Sequence, residues 1–312
     1  MAVIEHRFRV MACRAEVLLV DGNRALAHRA QLDLDELEMA WSRFVPTSDI
    51  SRLNTARGRP VLVGPDTLVL VTAMVEAWHL TGGRFDPTTL PSLIANGYAT
   101  SRVDPRRTTE LPDEARSGGD LNQIVIDPVN STVSLPVGLV LDPGGLGKGL
   151  AADLVAARLL ERGARGALVG VGGDLVAVGE PPEPEGWLVV VEDPWDPGRD
   201  LCTLRIDSGA VATSSTRTCR WERDGISHHH LIDPTTGAEA GTDLAAVTVF
   251  APTAWEAEAL ATGALLTGSA DALDFLDGHD VDGIAVTDSG RILTHLTGLD
   301  ALTPAPGGAL PR

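Results

Sequence analysis

Short apolar runs separated by turn-forming residues constrain this chain more than any other feature. Gln123-Ile124-Val125-Ile126-Asp127 and Thr132-Val133-Ser134-Leu135 are joined by Pro128-Val129-Asn130-Ser131, a hairpin signature. Further strand-like runs are Ala167 to Val171, closed by Gly172-Gly173-Asp174, then Trp187 to Glu192, Leu201 to Ile206, Ala210 to Thr213 and Ala245 to Phe250. Phe8 to Val20 alternates as a strand would around Met11-Ala12-Cys13. Helical spacing covers Arg24 to Phe44, about Pro65 to Thr81 with Gly82-Gly83 as a C-cap signal, Leu150 to Arg162, Ala254 to Leu266 and Ala270 to Leu276. Ser48 to Asn54 reads as a polar turn, and Asp104 to Asp120, rich in Pro, Arg, Asp and Gly, as an exposed loop. Several strands pair through hairpins rather than helical crossovers. The expected class is therefore α+β, with antiparallel sheets packed against helices.

With 312 residues the chain is long enough for one large domain or two lobes; the reading is a single domain with two lobes over residues 1–303 and a flexible Pro/Gly tail over 304–312. A formal net charge of −18 excludes a nucleic-acid surface or an anionic membrane as the natural partner. An anionic ligand needs a local basic or dipolar pocket that works against this field. Cys13, Cys202 and Cys219 are an odd set without CxxC spacing, which fits reduced thiols rather than a disulfide framework or a zinc knuckle. Charges interrupt the N-terminal residues where a signal peptide has its apolar run. No stretch reaches the roughly 18 apolar residues of a membrane helix. The expectation is a cytoplasmic protein without membrane insertion.

Among 25 lysines and arginines there is one lysine, Lys148, in the turn Asp142-Pro143-Gly144-Gly145-Leu146-Gly147-Lys148-Gly149. Arginine serves everywhere else, so this position points to a place where a compact ammonium on a flexible stem is required. A solvated lysine without a role is the alternative. The turn follows a strand and opens a helix, where glycines admit a ligand and unpaired N–H groups face an anion. It matches neither the Walker A pattern nor GxGxxG.

Three further stretches carry chemistry. Ser227-His228-His229-His230-Leu231-Ile232-Asp233-Pro234 holds a candidate general base. His228 and His230 share a face in an extended run, as a metal pair would; a polar strand end before an Asp-Pro turn is the other reading. Glu258 and Thr262 lie four apart on a helix, a carboxylate and a hydroxyl suited to a hard cation. Gly83-Arg84-Phe85-Asp86-Pro87-Thr88 and Ala212-Thr213-Ser214-Ser215 are turns that could face a ligand or simply end their elements.

Taken in order, these stretches resemble the ApbE family of FAD:protein FMN transferases. The landmarks are Met11, Ser48 to Asn54, Gly83 to Thr88, Asp142 to Gly149, Val171 to Leu175, Ala212 to Ser214, His230 to Gly237 and Thr253 to Thr262. Each is weak alone; their order over nearly the whole chain carries the resemblance. It implies a T-fold-like α+β structure with a ligand cleft between two lobes. It also implies Mg²⁺-dependent transfer of FMN from FAD to a Ser or Thr hydroxyl of an acceptor flavoprotein, with release of AMP. On this resemblance His230 is the base. The metal ligands are the Gly145 carbonyl with Glu258 and Thr262. Flavin and nucleotide contacts fall on Met11, Phe44, Asn54, Arg84, Phe85, Asp86, Asp142, Lys148 and Leu231. The chain departs from the family pattern at Glu258 (usually aspartate), Gly147 (alanine), Leu150 (tyrosine) and Ser215 (glycine). An FAD pyrophosphatase yielding FMN and AMP, and a non-catalytic FAD-binding protein, are the alternatives. The expected acceptor is a soluble flavin-binding reductase domain in the cytoplasm.

Overall fold

Eight antiparallel strands follow one another across the largest sheet in the order in which they occur in the chain. They are Val3–Val10, Cys13–Val20, Gly166–Val171, Asp174–Gly179, Gly209–Ser215, Leu244–Ala251, Asp282–Thr287 and Ile292–His295. The computed structural model describes residues 2–196, 198–223, 225–297 and 303–304. Of the expected tail, 304–312, Pro304 pairs with Cys202 at a sheet edge, and 305–312 lie outside the described residues. The chain divides into two compact units, Met1–Leu34, Lys148–Thr218 and Thr242–Arg312 in the first, Asp35–Gly147 and Cys219–Gly241 in the second.

In the first unit the three strands Gly166–Val171, Leu244–Ala251 and Asp282–Thr287 are buried almost throughout, without the alternation of a half-exposed sheet. Both faces are therefore covered. On one side lies the sheet formed by Trp187–Glu192 and Asp200–Ile206, joined at its edge by Thr303–Pro304. Trp187, Val189, Val191, Leu204 and Ile206 share a core with Leu168, Val211, Phe250 and Ile284. Burial of such side chains is worth roughly 1.5–3 kcal/mol each. The helix Ala254–Thr267 packs on the strands Gly209–Ser215 and Leu244–Ala251. Its buried residues include Ala257, Ala261, Gly263 and Ala264, small enough for close approach to a sheet.

Two hairpins stand side by side at one end of this sheet. Met11 and Ala12, at φ 50° and 62°, turn the chain between Val10 and Cys13; Gly172 and Gly173, at φ 68° and 100°, do so between Val171 and Asp174. The single strand expected from Phe8 to Val20 is thus two strands. A two-residue turn with positive φ at both positions usually shows itself through Asn or Gly, and here Met and Ala hold it. The Gly-Gly pair, by contrast, is a tight turn with a strand after it, Asp174–Gly179, that the expectation stopped short of.

The second unit contains the helices Asp49–Thr55, Pro65–Leu80 and Leu90–Ala95. It also holds a small sheet of Val61–Leu62, Thr132–Ser134 and Val125–Asp127, and the hairpin Arg220–Arg223 with Ile226–His229. The hairpin around Pro128 to Ser131 is present as expected. Ser48 to Asn54 is not a turn. Ser48 is an N-cap whose Oγ accepts the Ser51 N–H at 3.0 Å, with Ile50, Leu53 and Asn54 buried behind it. Its polar residues are caps, which is why they read as a turn. The fold is α+β with antiparallel sheets and packed helices, as expected. Among the described residues no helix is long and apolar enough to cross a membrane.

Candidate active site

In the first unit the lone lysine is held by two carboxylates. Lys148 Nζ donates to Asp174 Oδ2 and to Glu258 Oε1. Each carboxylate spends its other oxygen on a backbone N–H: Asp174 Oδ1 accepts from Thr213 at 3.1 Å, Glu258 Oε2 from Gly149 at 2.8 Å. Asp174 and Glu258 are only 2% and 4% exposed, so their orientation is set by the scaffold rather than by solvent. Burial alone would pull the Lys148 ammonium down, but Asp174 and Glu258 outweigh it and hold the pKa above the ordinary lysine value. Burial pushes the Glu258 carboxyl up to about 7; Lys148 and the Gly149 N–H work against that rise and Asp174 adds to it.

Two glycines make this packing possible. A Cβ on Gly149 would stand 2.4 Å from the Ala254 carbonyl oxygen, so only glycine lets the start of the helix Gly147–Glu161 approach the start of Ala254–Thr267. A Cβ on Gly172 would come within 3.0 Å of Cys13 Sγ and 3.3 Å of Lys148 Cδ, so the hairpin turn leaves room for the lysine stem. Met11 lies in the neighbouring turn.

Thr262, one turn beyond Glu258, shares a hydrogen bond with Ser214 at 2.8 Å, and Thr213 Oγ1 does the same with Thr248. The end of the strand Gly209–Ser215 therefore serves both Asp174 and Thr262. Ser215, a departure from the family pattern, gives its hydroxyl to the Ala245 carbonyl at 2.8 Å and accepts from Arg217 N–H at 3.0 Å. The substitution is absorbed by the backbone. The helix carrying Glu258 is itself capped by Asp153, whose carboxylate accepts the N–H groups of Ala254 and Trp255 at 2.9 and 3.0 Å. Burial pushes Asp153 up to about 6 although those two donors oppose it. Sequence reading missed Asp174 and Asp153 as members of this network; the Gly-Gly-Asp ending after a strand was the only signal for the former.

The second unit holds the remaining expected residues. Asp142 pairs with Arg43 Nε at 3.3 Å and caps its own turn through Gly144 N–H at 3.0 Å. Asn54 spends its whole amide on Leu141, donating to its carbonyl at 2.9 Å and accepting its N–H at 2.8 Å, which fixes the segment that leads to Asp142. Phe44 lies under the Arg43 guanidinium at 4.1 Å and beside Tyr98, which stacks on Trp221 at 5.4 Å; Trp221 in turn stacks on His228 at 6.1 Å. Phe85 is buried and Arg84 exposed. Asp86 accepts Thr88 N–H and Oγ1–H, both at 2.7 Å, and burial holds its pKa above the ordinary value. Gly145 is half-buried in the turn before the lysine.

His228 Nδ1 meets Glu239 Oε2 at 2.7 Å, and the same carboxylate accepts the His229 N–H at 3.0 Å. Burial keeps His229 below the usual imidazole value, with Glu239 opposing. His230 is half-buried and Leu231 buried, just before a turn in which Asp233 Oδ1 accepts Thr235 N–H and the Gly237 N–H returns to the Asp233 carbonyl. The structure thus brings Lys148, Glu258 and Thr262 into one network in the first unit, while His230, Gly145, Asp142 and the aromatic residues belong to the second.

A model of the ApbE family matches residues 11–286. The chain belongs to that family. A relative from Treponema pallidum named FAD:protein FMN transferase is 30% identical over 75% of this chain and 69% of its own length. One of the same name from Haemophilus influenzae is 25% identical over 86% and 81%. Among solved structures, the ApbE protein of Thermotoga maritima superposes with a TM-score of 0.82 at 24% identity, covering 94% of this chain and 97% of that one. The flavin transferase ApbE of Vibrio cholerae gives 0.75 at 22%. At these identities the two structures establish the shared ApbE fold.

Proposed function

We propose that this chain is an FAD:protein FMN transferase that joins FMN to a Ser or Thr hydroxyl of an acceptor protein and releases AMP, with Mg²⁺ as cofactor. Family membership carries the coarser part, an enzyme moving FMN from FAD to a protein. The observation that carries the finer part is the lysine held between two buried carboxylates beside a hydroxyl pair. This donor set fits a hard cation, because Asp174 and Glu258 each turn one oxygen toward a single positively charged point. Glu258 and Thr262 would hold the ion. A bound Mg²⁺ would neutralise charge on the diphosphate oxygens as the phosphorus is attacked.

The chain's own residues do the rest. Lys148 supplies an ammonium for one diphosphate oxygen, in a protein whose net charge would otherwise repel FAD. The acceptor hydroxyl attacks the phosphorus of the FMN half and gives its proton to His230. The bond from that phosphorus to the bridging oxygen breaks, and AMP leaves with the oxygen and its electron pair. Phosphoryl transfer of this kind depends chiefly on position and charge compensation. Arg43, Phe44 and Tyr98 offer a cation and ring faces for the flavin end. A cytoplasmic place of action belongs to the same reading and rests on three free cysteines.

Incubation with FAD, Mg²⁺ and a flavin-acceptor domain is expected to give a fluorescent protein band that survives a denaturing gel. AMP and free FMN without a labelled band would replace transfer by hydrolysis. Intact FAD after the same incubation would overturn both.

A further inference from the structure

Lys148 is the only lysine in the chain, and its ammonium occupies the point on which two buried carboxylates converge. We infer that Lys148 is the resident cation of the metal pocket, that a divalent ion entering the pocket displaces it from Glu258, and that Asp174 is the positioning residue that keeps it at hand. The inference rests on the reading that Glu258 and Thr262 hold a hard cation.

Three observations support it. First, the anionic geometry does not depend on the lysine: Thr213 N–H orients Asp174 and Gly149 N–H orients Glu258. The two remaining oxygens form a standing cation site, whichever cation fills it. Second, the charges do not balance. Two carboxylates at 3% and 5% side-chain exposure face a single ammonium, which leaves an excess negative charge in a place where water compensates little. A divalent ion reverses the sign of the pocket, giving it the net positive charge that a diphosphate requires. Third, Glu258 would present the same oxygen to both cations. Its Oε2 accepts the Gly149 N–H and its Oε1 the Lys148 ammonium, so a divalent ion bonded to Oε1 stands beside that ammonium and repels it. The stem can follow such a move, since it passes Gly172, where the missing side chain leaves it space. Asp174 keeps its own contact and holds the displaced ammonium beside the ion. Arginine, with a planar fork and a wider head, could not exchange places with an ion in this way.

Because Lys148 is the sole side-chain amine, reductive methylation with formaldehyde and cyanoborohydride reports on it alone once the N-terminal amine is separated by peptide mass spectrometry. On the wild-type protein without FAD, saturating Mn²⁺ is expected to speed methylation of Lys148 several-fold, with Mn²⁺ occupancy followed by electron paramagnetic resonance. Lys148→Met is expected to bind Mn²⁺ about tenfold more tightly, and Asp174→Asn to methylate faster than wild type without metal. Bound Mn²⁺ with unchanged or slower methylation overturns the inference and leaves the cation site standing. No Mn²⁺ bound with or without FAD overturns the cation site itself, and this inference with it. If Lys148→Met does not fold, the wild-type rates decide.

Discussion

The two units hold their charged residues by different means. In the first, the buried carboxylates of Asp174 and Glu258 are pinned by backbone N–H groups of a sheet end and a helix start and hold a half-buried Lys148 between them. In the second, the half-buried rings of Phe44, Tyr98, Trp221 and His228 form a ladder over the guanidinium of Arg43, which is itself buried and paired with Asp142. Fixed charge in a dry setting needs no reorganisation when a reaction builds up negative charge, whereas stacked rings tolerate small shifts at little cost. On the proposed function, charge compensation falls to the first unit and ring recognition to the second.

The largest expected effect breaks the first half of that contrast. Glu258→Gln removes a buried charge while keeping the shape, and transferase kcat/KM is expected to fall about 10³-fold, with higher Mg²⁺ needed for saturation. His230→Gln, in the second unit, tests the proposed base; kcat is expected to drop about 10²-fold and the acidic limb of the pH profile to disappear. Next is the linkage between proton and metal. The Glu258 carboxyl is raised to about 7, so below that pH the metal competes with a proton. Apparent Mg²⁺ affinity, measured by calorimetry, is expected to rise about tenfold per pH unit up to 7 and then level off. A flat profile would show that Glu258 is already ionised when the ion arrives.

Smaller effects concern the supports. Asp153→Ala uncaps the helix that carries Glu258 and is expected to cost about 1–2 kcal/mol in denaturant unfolding. Trp221→Phe keeps a ring in the ladder but loses the donor to the Asn96 carbonyl, which it reaches at 3.0 Å. The expected cost is about 1 kcal/mol, with FAD affinity little changed. A large loss of FAD binding there would mean that the ladder is as exacting as the charge cluster.

Long strands with uninterrupted apolar runs, the Ala-rich helix at 254 and the passage from glycine turn to helix were legible because local spacing alone determines them. Elements whose signal is broken were not. Asp282–Thr287 begins with Asp-Gly, and the turn at Met11-Ala12 has no residue that favours positive φ; tertiary pairing imposes both. Ser48 hid a helix because a cap and a turn use the same residues. Lys148, Glu258 and Thr262 stood out by type and spacing. Asp174 and Asp153 did not, since their meaning lies in partners 26 and 101 residues away.

One pairing has a consequence for biosynthesis. Cys13–Val20, with Val17 and Leu19 fully buried in the finished protein, pairs on its inner edge with Gly166–Val171. On a ribosome adding roughly 5–20 residues per second, that apolar edge waits on the order of ten to thirty seconds for its partner to emerge. Until then the nascent hairpin keeps an unpaired apolar edge, open to pairing with other chains.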